Sequence, residues 1–440
     1  MSRNAAAPLG SRFQRLFGAS LVTNLGDGMG TVAYPWLASA ITRNPLLIAA
    51  VAVAQRLPWL VFSLPAGVIT DRVDRRKAMV LMDLIRFAIT AVLGLAVLGT
   101  QDSLPAPDQL ESVVGTRTGL YLLVLLATVL LGTCEVLRDN SAQTILPALV
   151  EPDQLERANG RLGAMEFVTN TFAGPPLGSL LLGVAFALPI LLDAASFFGA
   201  AALMLTIRGS FRADHSDVEP APWRDELREG MRWLRHHEVL FPMAIILGLL
   251  NLASMVSGGV LVLFAQDVLH ISALAFALLG TGMAIGGVVG GVTASRLSRR
   301  LGPGTCLAIT LAALTVFPIL NAFSRHWIMT TVLLGLSSMV GVLWNVITVS
   351  FRQAIIPARL LGRINSAYRF FAWGMMPIGA ALGGIIVAVV DTFASRSIAL
   401  RSTFLVEGVI CGGLFVAGRH YLSNERIEAS RALPVPVSTG

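Results

Sequence analysis

Three ionisable residues sit at helical spacing inside one apolar run: Glu135, Arg138 and Asp139. Residues three and four apart share a helix face, so two carboxylates there surround one guanidinium. In an apolar setting they do not all stay ionised comfortably, and one of them can hold a proton. The cluster is either a proton carrier or a fixed salt-bridge network that sets helix packing. Asp27 and Arg56 lie in two further apolar runs. An isolated charge at such a depth costs about 2.5–3.5 kcal/mol on insertion scales, so it is normally paired or turned towards a wet cavity. These five are the candidate proton-coupling residues. Asp83, Arg86, Glu166 and Asp193 read as lying nearer the ends of their runs, where snorkelling and interfacial pairing account for them. Glu407 lies deeper and has no assigned role.

The elements that must position these groups are apolar helices. The chain has 440 residues, 55% hydrophobic and 13% charged, with a mean hydropathy of +0.71. A soluble domain carries about a quarter charged residues. The hydrophobic residues come in runs of about twenty, the length of a membrane-crossing helix. Twelve spans are predicted, at 16–42, 46–70, 77–100, 118–146, 160–186 and 188–208, then 240–265, 272–296, 303–323, 326–350, 363–390 and 397–419. This divides the chain into a six-helix bundle over 1–208, a linker over 209–239, a second six-helix bundle over 240–420 and a tail over 421–440. Within the linker, residues 223–235 have apolar side chains at helical spacing and an Arg-rich polar face, the pattern of a helix lying on a membrane surface.

Charge sets orientation. Most of the 33 basic residues fall in segments that share one side of the membrane with both termini. Only Arg43, Arg117, Arg325, Arg396 and Arg401 fall on the other. The positive-inside rule then places both termini in the cytoplasm of a cell (inner or plasma) membrane. It also accounts for the net charge of +7 without nucleic acid. Lys77 is the sole lysine and lacks the Gly-Lys-Ser/Thr context of a phosphate loop, which excludes a nucleotide site of that type. No cofactor or metal-ligand spacing occurs, and no catalytic motif points to an enzyme. Cys134, Cys306 and Cys411 lie in apolar segments without paired spacing and read as buried thiols. The N-terminal segment, with Arg3, Arg12 and Arg15 but no short apolar stretch before a cleavage site, reads as no signal peptide.

A short basic hairpin occurs twice between spans. Gly67, Val68, Arg72, Arg75 and Arg76 recur as Gly291, Val292, Arg296, Arg299 and Arg300. Gln143 to Pro147 likewise resembles Gln353 to Pro357. Two like halves with six spans each imply parallel repeats about an axis along the membrane normal. The hairpins are either a cytoplasmic gate that closes one side of the membrane or simply orienting charge. Asp71 and Gly67 have no part in the orientation rule and favour the gate. Asp71 and Asp74 are matched by Ser295 and Ser298, so the acidic component belongs to the first copy alone.

The first hairpin, Gly67, Asp71, Arg72, Arg75 and Arg76, resembles the signature loop of the major facilitator superfamily, with Asp74 where that family usually has Gly. The resemblance implies an all-α membrane protein with twelve transmembrane helices in two pseudo-symmetric six-helix bundles, working by alternating access. It also implies a docking site for Asp71 at the start of span 11, and a functional role for Asp27 in span 1. Gly174, Pro175, Pro176 and Gly178 are similar to a motif of the exporter branch, and read either as a cavity-shaping helix bend or as close packing. Stretches beginning at Asn24, Gln55, Glu135 and Tyr368 resemble the enterobactin exporters and related macrolide or secretion permeases. The implied function is a proton antiporter moving an amphipathic small molecule, a drug, macrolide or siderophore, out of the cytoplasm. An uptake permease and a non-transporting receptor or accessory subunit are the alternatives. Asn24, Trp36, Asn251, Trp344, Asn345 and Trp373 are the candidate cavity residues, since sparse polar groups in an apolar, aromatic wall suit such a ligand.

Overall fold

The computed structural model describes residues 9–107, 109–212, 228, 231–356, 358–419 and 421–432. The apolar runs become helices in the order anticipated. They are α1 (Gly10–Ile41), α2 (Pro45–Arg72), α3 (Arg75–Gly99), α4 (Thr118–Ile145), α5 (Leu155–Glu166), α6 (Gly174–Leu182) and α7 (Ala187–Leu205). The second half holds α8 (Leu240–Gly258), α9 (Leu261–Asp267), α10 (Ala273–Leu301), α11 (Pro303–Ala322), α12 (Trp327–Ile355), α13 (Ala358–Val390), α14 (Arg396–Gly418) and the short α15 (Asn424–Ala432). Ten helical segments among the described residues are long and apolar enough to cross a membrane. The remaining two of the twelve spans are α1 and the interrupted α5–α6 element. Most of the amphipathic stretch expected at 223–235 lies outside the described residues.

The interruption has a local cause. Phe167–Ala173 forms a π-helical segment between α5 and α6, directly before Pro175 and Pro176. Each proline lacks an N–H and crowds the carbonyl four residues earlier, and a widened turn relieves both effects. The same place is an approach between backbones. A Cβ on Gly174 would lie 2.6 Å from Gly28 Cα, and one on Gly178 would lie 2.6 Å from the Met29 carbonyl oxygen. Bend and close packing, posed as alternatives by the sequence, occur together.

Two compact units are present. The first comprises residues 1–37, 61–107 and 117–218; the second comprises 38–60, 108–116 and 219–440. In the first, α3 packs on α4 and α7, and Phe13, Leu16, Met79, Ile145, Met204 and Phe211 form a buried apolar cluster. In the second, α10 packs on α12, α8 on α13 and α11 on α14, around Met243, Leu307, Trp344, Phe351 and Tyr368. The end of α1 and its connection to α2, which belong to the second unit, are held there by polar bonds. Arg43 pairs with Asp267 and with Gln266, Gln266 donates to Ser39 Oγ at 2.9 Å, and Arg396 Nε donates to Asp267 at 3.2 Å. All three cysteines are free and buried.

Candidate functional site

Four helices of the first unit bring their charges together. Arg138 of α4 donates through Nε to Asp83 Oδ1 at 2.9 Å and through Nη2 to Thr23 Oγ1 at 3.0 Å. Its Nη1 lies 3.6 Å from Asp139 Oδ1. Arg86 of α3 donates to Asp27 Oδ1 at 2.5 Å, and its guanidinium lies over the Phe197 ring, 3.9 Å from the centroid. Asp193, buried on α7, accepts from Ser196 Oγ at 3.4 Å. Glu135, Arg138 and Asp139 share a face as their spacing required. They open with Asp27, Glu166 and Asn24 onto a cavity of about 420 Å³. Asn170, carried by the π-helical segment, lines the same cavity and approaches Asn24 Oδ1 at 3.5 Å.

The placement of Asp83, Arg86 and Asp193 corrects the sequence reading. They do not snorkel to an exposed surface. Asp83 is fully buried, and Arg86 and Asp193 are each 3% exposed. Position within a run misjudged Asp83 and Arg86, because what holds a buried charge is its partner on another helix; Asp193 is held by Ser196 of its own helix. A signal was present: Asp83 and Arg86 are spaced i, i+3 and oppose Arg138 and Asp27 in sign. Arg56 falls in the second unit's share of α2 and does not line this cavity.

The second unit encloses a different space, about 500 Å³, lined mostly by apolar side chains together with Asn251, Trp344, Asn345 and Glu407. Asn251 Nδ2 also donates to the Ala372 carbonyl at 2.8 Å. Ser257 Oγ donates to Glu407 Oε2 at 2.6 Å. Trp373 stacks on Trp59 with centroids 5.2 Å apart. Trp36 departs from expectation. It is 1% exposed, and its indole Nε1 donates to the Pro107 carbonyl at 3.1 Å, so it packs and lines neither cavity.

At the first hairpin, Asp74 is the N-cap of α3. Its Oδ1 accepts from the Lys77 amide at 3.1 Å, and its Oδ2 accepts from the Phe211 amide at 3.1 Å and from Ser210 Oγ at 3.3 Å. Burial opposes its charge, yet these N–H donors and the Arg76 guanidinium hold its carboxyl below the usual range. Arg75 donates to the Thr144 carbonyl at 3.0 Å, and Arg76 to the Ile207 carbonyl at 2.5 Å. Both cations thus meet carbonyls near the C-terminal ends of α4 and α7, where the helix dipole favours positive charge. Arg72 is exposed. Gly67 and Asp71 lie on the last turns of α2. In the second copy, Gly291, Arg296, Arg299 and Arg300 are exposed on the last turns of α10, and Asn424 takes over the capping of α11, accepting from the Gly304 amide at 2.7 Å.

Residues 3–415 match the family described as transmembrane secretion effector, a branch of the major facilitator superfamily. The chain belongs to that family. It is therefore a multi-pass membrane transporter and not an enzyme. Among relatives of this transporter, the enterobactin exporter EntS of Escherichia coli (strain K12) is 25% identical over 418 residues, covering 93% of each chain. EntS of Shigella boydii serotype 4 is 25% identical over 407 residues, 90% of each. A mutant form of the nucleoside transporter NupG has the same fold, with a TM-score of 0.73 at 12% identity over 94% of this chain and 100% of that one. So does a bacterial homologue of the human lysosomal transporter Spinster, with a TM-score of 0.70 at 14% identity over 99% and 100%. In this secretion-effector transporter, charge is concentrated in the first unit's cavity, while the second unit's cavity is apolar with one carboxylate.

Proposed function

We propose that this transporter is a proton-coupled exporter, moving an amphipathic small molecule out of the cytoplasm by alternating access across the inner membrane, with both termini cytoplasmic. The observation that carries the reading is the imbalance of the first cavity. Asp27, Glu135, Asp139 and Glu166 line it with Arg138, while Asp83 and Asp193 are buried behind. Among the described residues that line this cavity or lie directly behind it, two guanidiniums, Arg86 and Arg138, accompany six carboxylates in a medium that tolerates little net charge. Protons are the simplest compensation, and exchanging them as the cavity changes sides couples a gradient to transport.

Direction is supported by the Gly174, Pro175, Pro176 and Gly178 element and by relatives named as exporters of enterobactin. A drug, a macrolide or a siderophore fits the substrate class. The first hairpin acts as the cytoplasmic gate. The test is an imposed pH gradient across proteoliposomes: substrates should dissipate it, and no dissipation across a panel of drugs and siderophores counts against antiport. Uptake in everted vesicles distinguishes export from a permease of opposite direction. A receptor or accessory role would leave function intact when Asp27 or Glu135 is neutralised.

A further inference from the structure

The carboxylate of Glu407, like that of Asp193, has a serine and no cation as its partner among the described residues, but unlike Asp193 it lines a cavity. It sits near the middle of α14 (Arg396–Gly418), too deep for a short side chain to reach a membrane surface. It lines the 500 Å³ cavity of the second unit, and that cavity's wall contains no Arg, Lys or His among the described residues. Ser257 Oγ donates to Oε2 at 2.6 Å; Oε1 accepts no hydrogen bond from the described residues. Asp27, Asp83 and Asp139 each have an arginine within 4 Å, whereas Glu407 forms no ion pair among the described residues.

We infer that this cavity is a binding site for cationic amphipathic ligands, an organic ammonium or phosphonium whose charge meets Glu407 while its apolar body fills the space beside Trp344 and Phe404. An uncompensated carboxylate in an apolar wall is costly, and a ligand cation removes that cost where a neutral ligand does not. Trp344 and Phe404 stand in the wall of the same cavity as part of its apolar lining, and the volume is that of a typical small-molecule pocket. Ser257 holds the carboxylate in place. The inference deepens the export reading and rests on it for the fate of the ligand, not for its binding.

The test is equilibrium binding to the purified full-length protein without any gradient, followed by tryptophan fluorescence. The probes are tetraphenylphosphonium, its anionic counterpart tetraphenylborate, and neutral triphenylphosphine oxide. The cation should bind tighter than both others. Glu407→Gln should weaken tetraphenylphosphonium about ten-fold, the size of one charge-assisted contact, and leave the neutral probe nearly unchanged. Glu407→Asp should retain part of the preference. A wild-type protein with no preference for the cation overturns the inference, whatever the variants do, and so does a Glu407→Gln protein that keeps the preference. Cation binding without gradient dissipation in proteoliposomes overturns the export reading alone; coupled transport without cation preference overturns only the site.

Discussion

Arg86 Nη2 lies 2.5 Å from Asp27 Oδ1, joining α3 to α1 through a guanidinium that is 3% exposed. Removing one member of such a pair leaves the other buried and uncompensated, at a cost of roughly 3–5 kcal/mol. Asp27→Asn is therefore expected to lower both thermal stability and coupled transport. Adding Arg86→Gln should recover part of the stability but none of the coupling. Unfolding curves and gradient dissipation on the same preparations separate the two effects, and full recovery of transport in the double variant would remove Asp27 from the mechanism.

Glu135 and Asp83 should behave oppositely. Asp83 has no exposure and binds Arg138, so Asp83→Ala should mainly destabilise, by several kcal/mol. Glu135 lines the cavity. Glu135→Gln should leave the melting temperature within a few degrees and cut proton-coupled flux about ten-fold or more, an expectation tied to the cost of mid-membrane charge. The ratio of activity loss to stability loss is the quantity to compare.

The two hairpins are not equivalent. Asp71→Asn is expected to impair transport far more than Ser295→Ala, because Ser295 is exposed and only the first copy carries a carboxylate there. Equal effects in a transport assay would leave orientation as the hairpins' sole role.

Asp74 gives a pH signature. Its folded carboxyl is held below the usual range, against burial, by the Lys77 and Phe211 amides. A depressed folded value contributes stability that is present above the unfolded value of about 3.9 and lost as pH falls through the folded one. Asp74→Ala should lower stability by about 0.5–2 kcal/mol at neutral pH, the usual worth of a helix N-cap. The gap between wild type and variant should hold from pH 8 to about 5 and close below about 4, as read by unfolding at each pH.

Gly174→Ala should be poorly tolerated, since its new Cβ would meet Gly28 Cα at 2.6 Å. Overpacking of this kind costs about 1–3 kcal/mol. Gly160→Ala, with nothing within 4 Å of its Cβ, is the matched control. Expression level and melting temperature of the pair decide the point.

Read alone, the sequence determined the class of molecule. Runs such as Thr118 to Ile145 must be helices in a membrane, because only internal hydrogen bonding satisfies a backbone there. The repeated hairpin and the spacing of Glu135, Arg138 and Asp139 follow from local rules that one helix obeys by itself. Only the tertiary structure decided which charge meets which. Asp83 and Arg86 read as interfacial until α4 and α1 supplied Arg138 and Asp27. Trp36 read as cavity-lining until the Pro107 carbonyl took its N–H. Glu407 had no assignment until the wall around it proved to lack a cation. Pairing across helices depends on the rotation and depth of each helix against its neighbours, and the 3.6-residue period fixes neither; packing against other helices does.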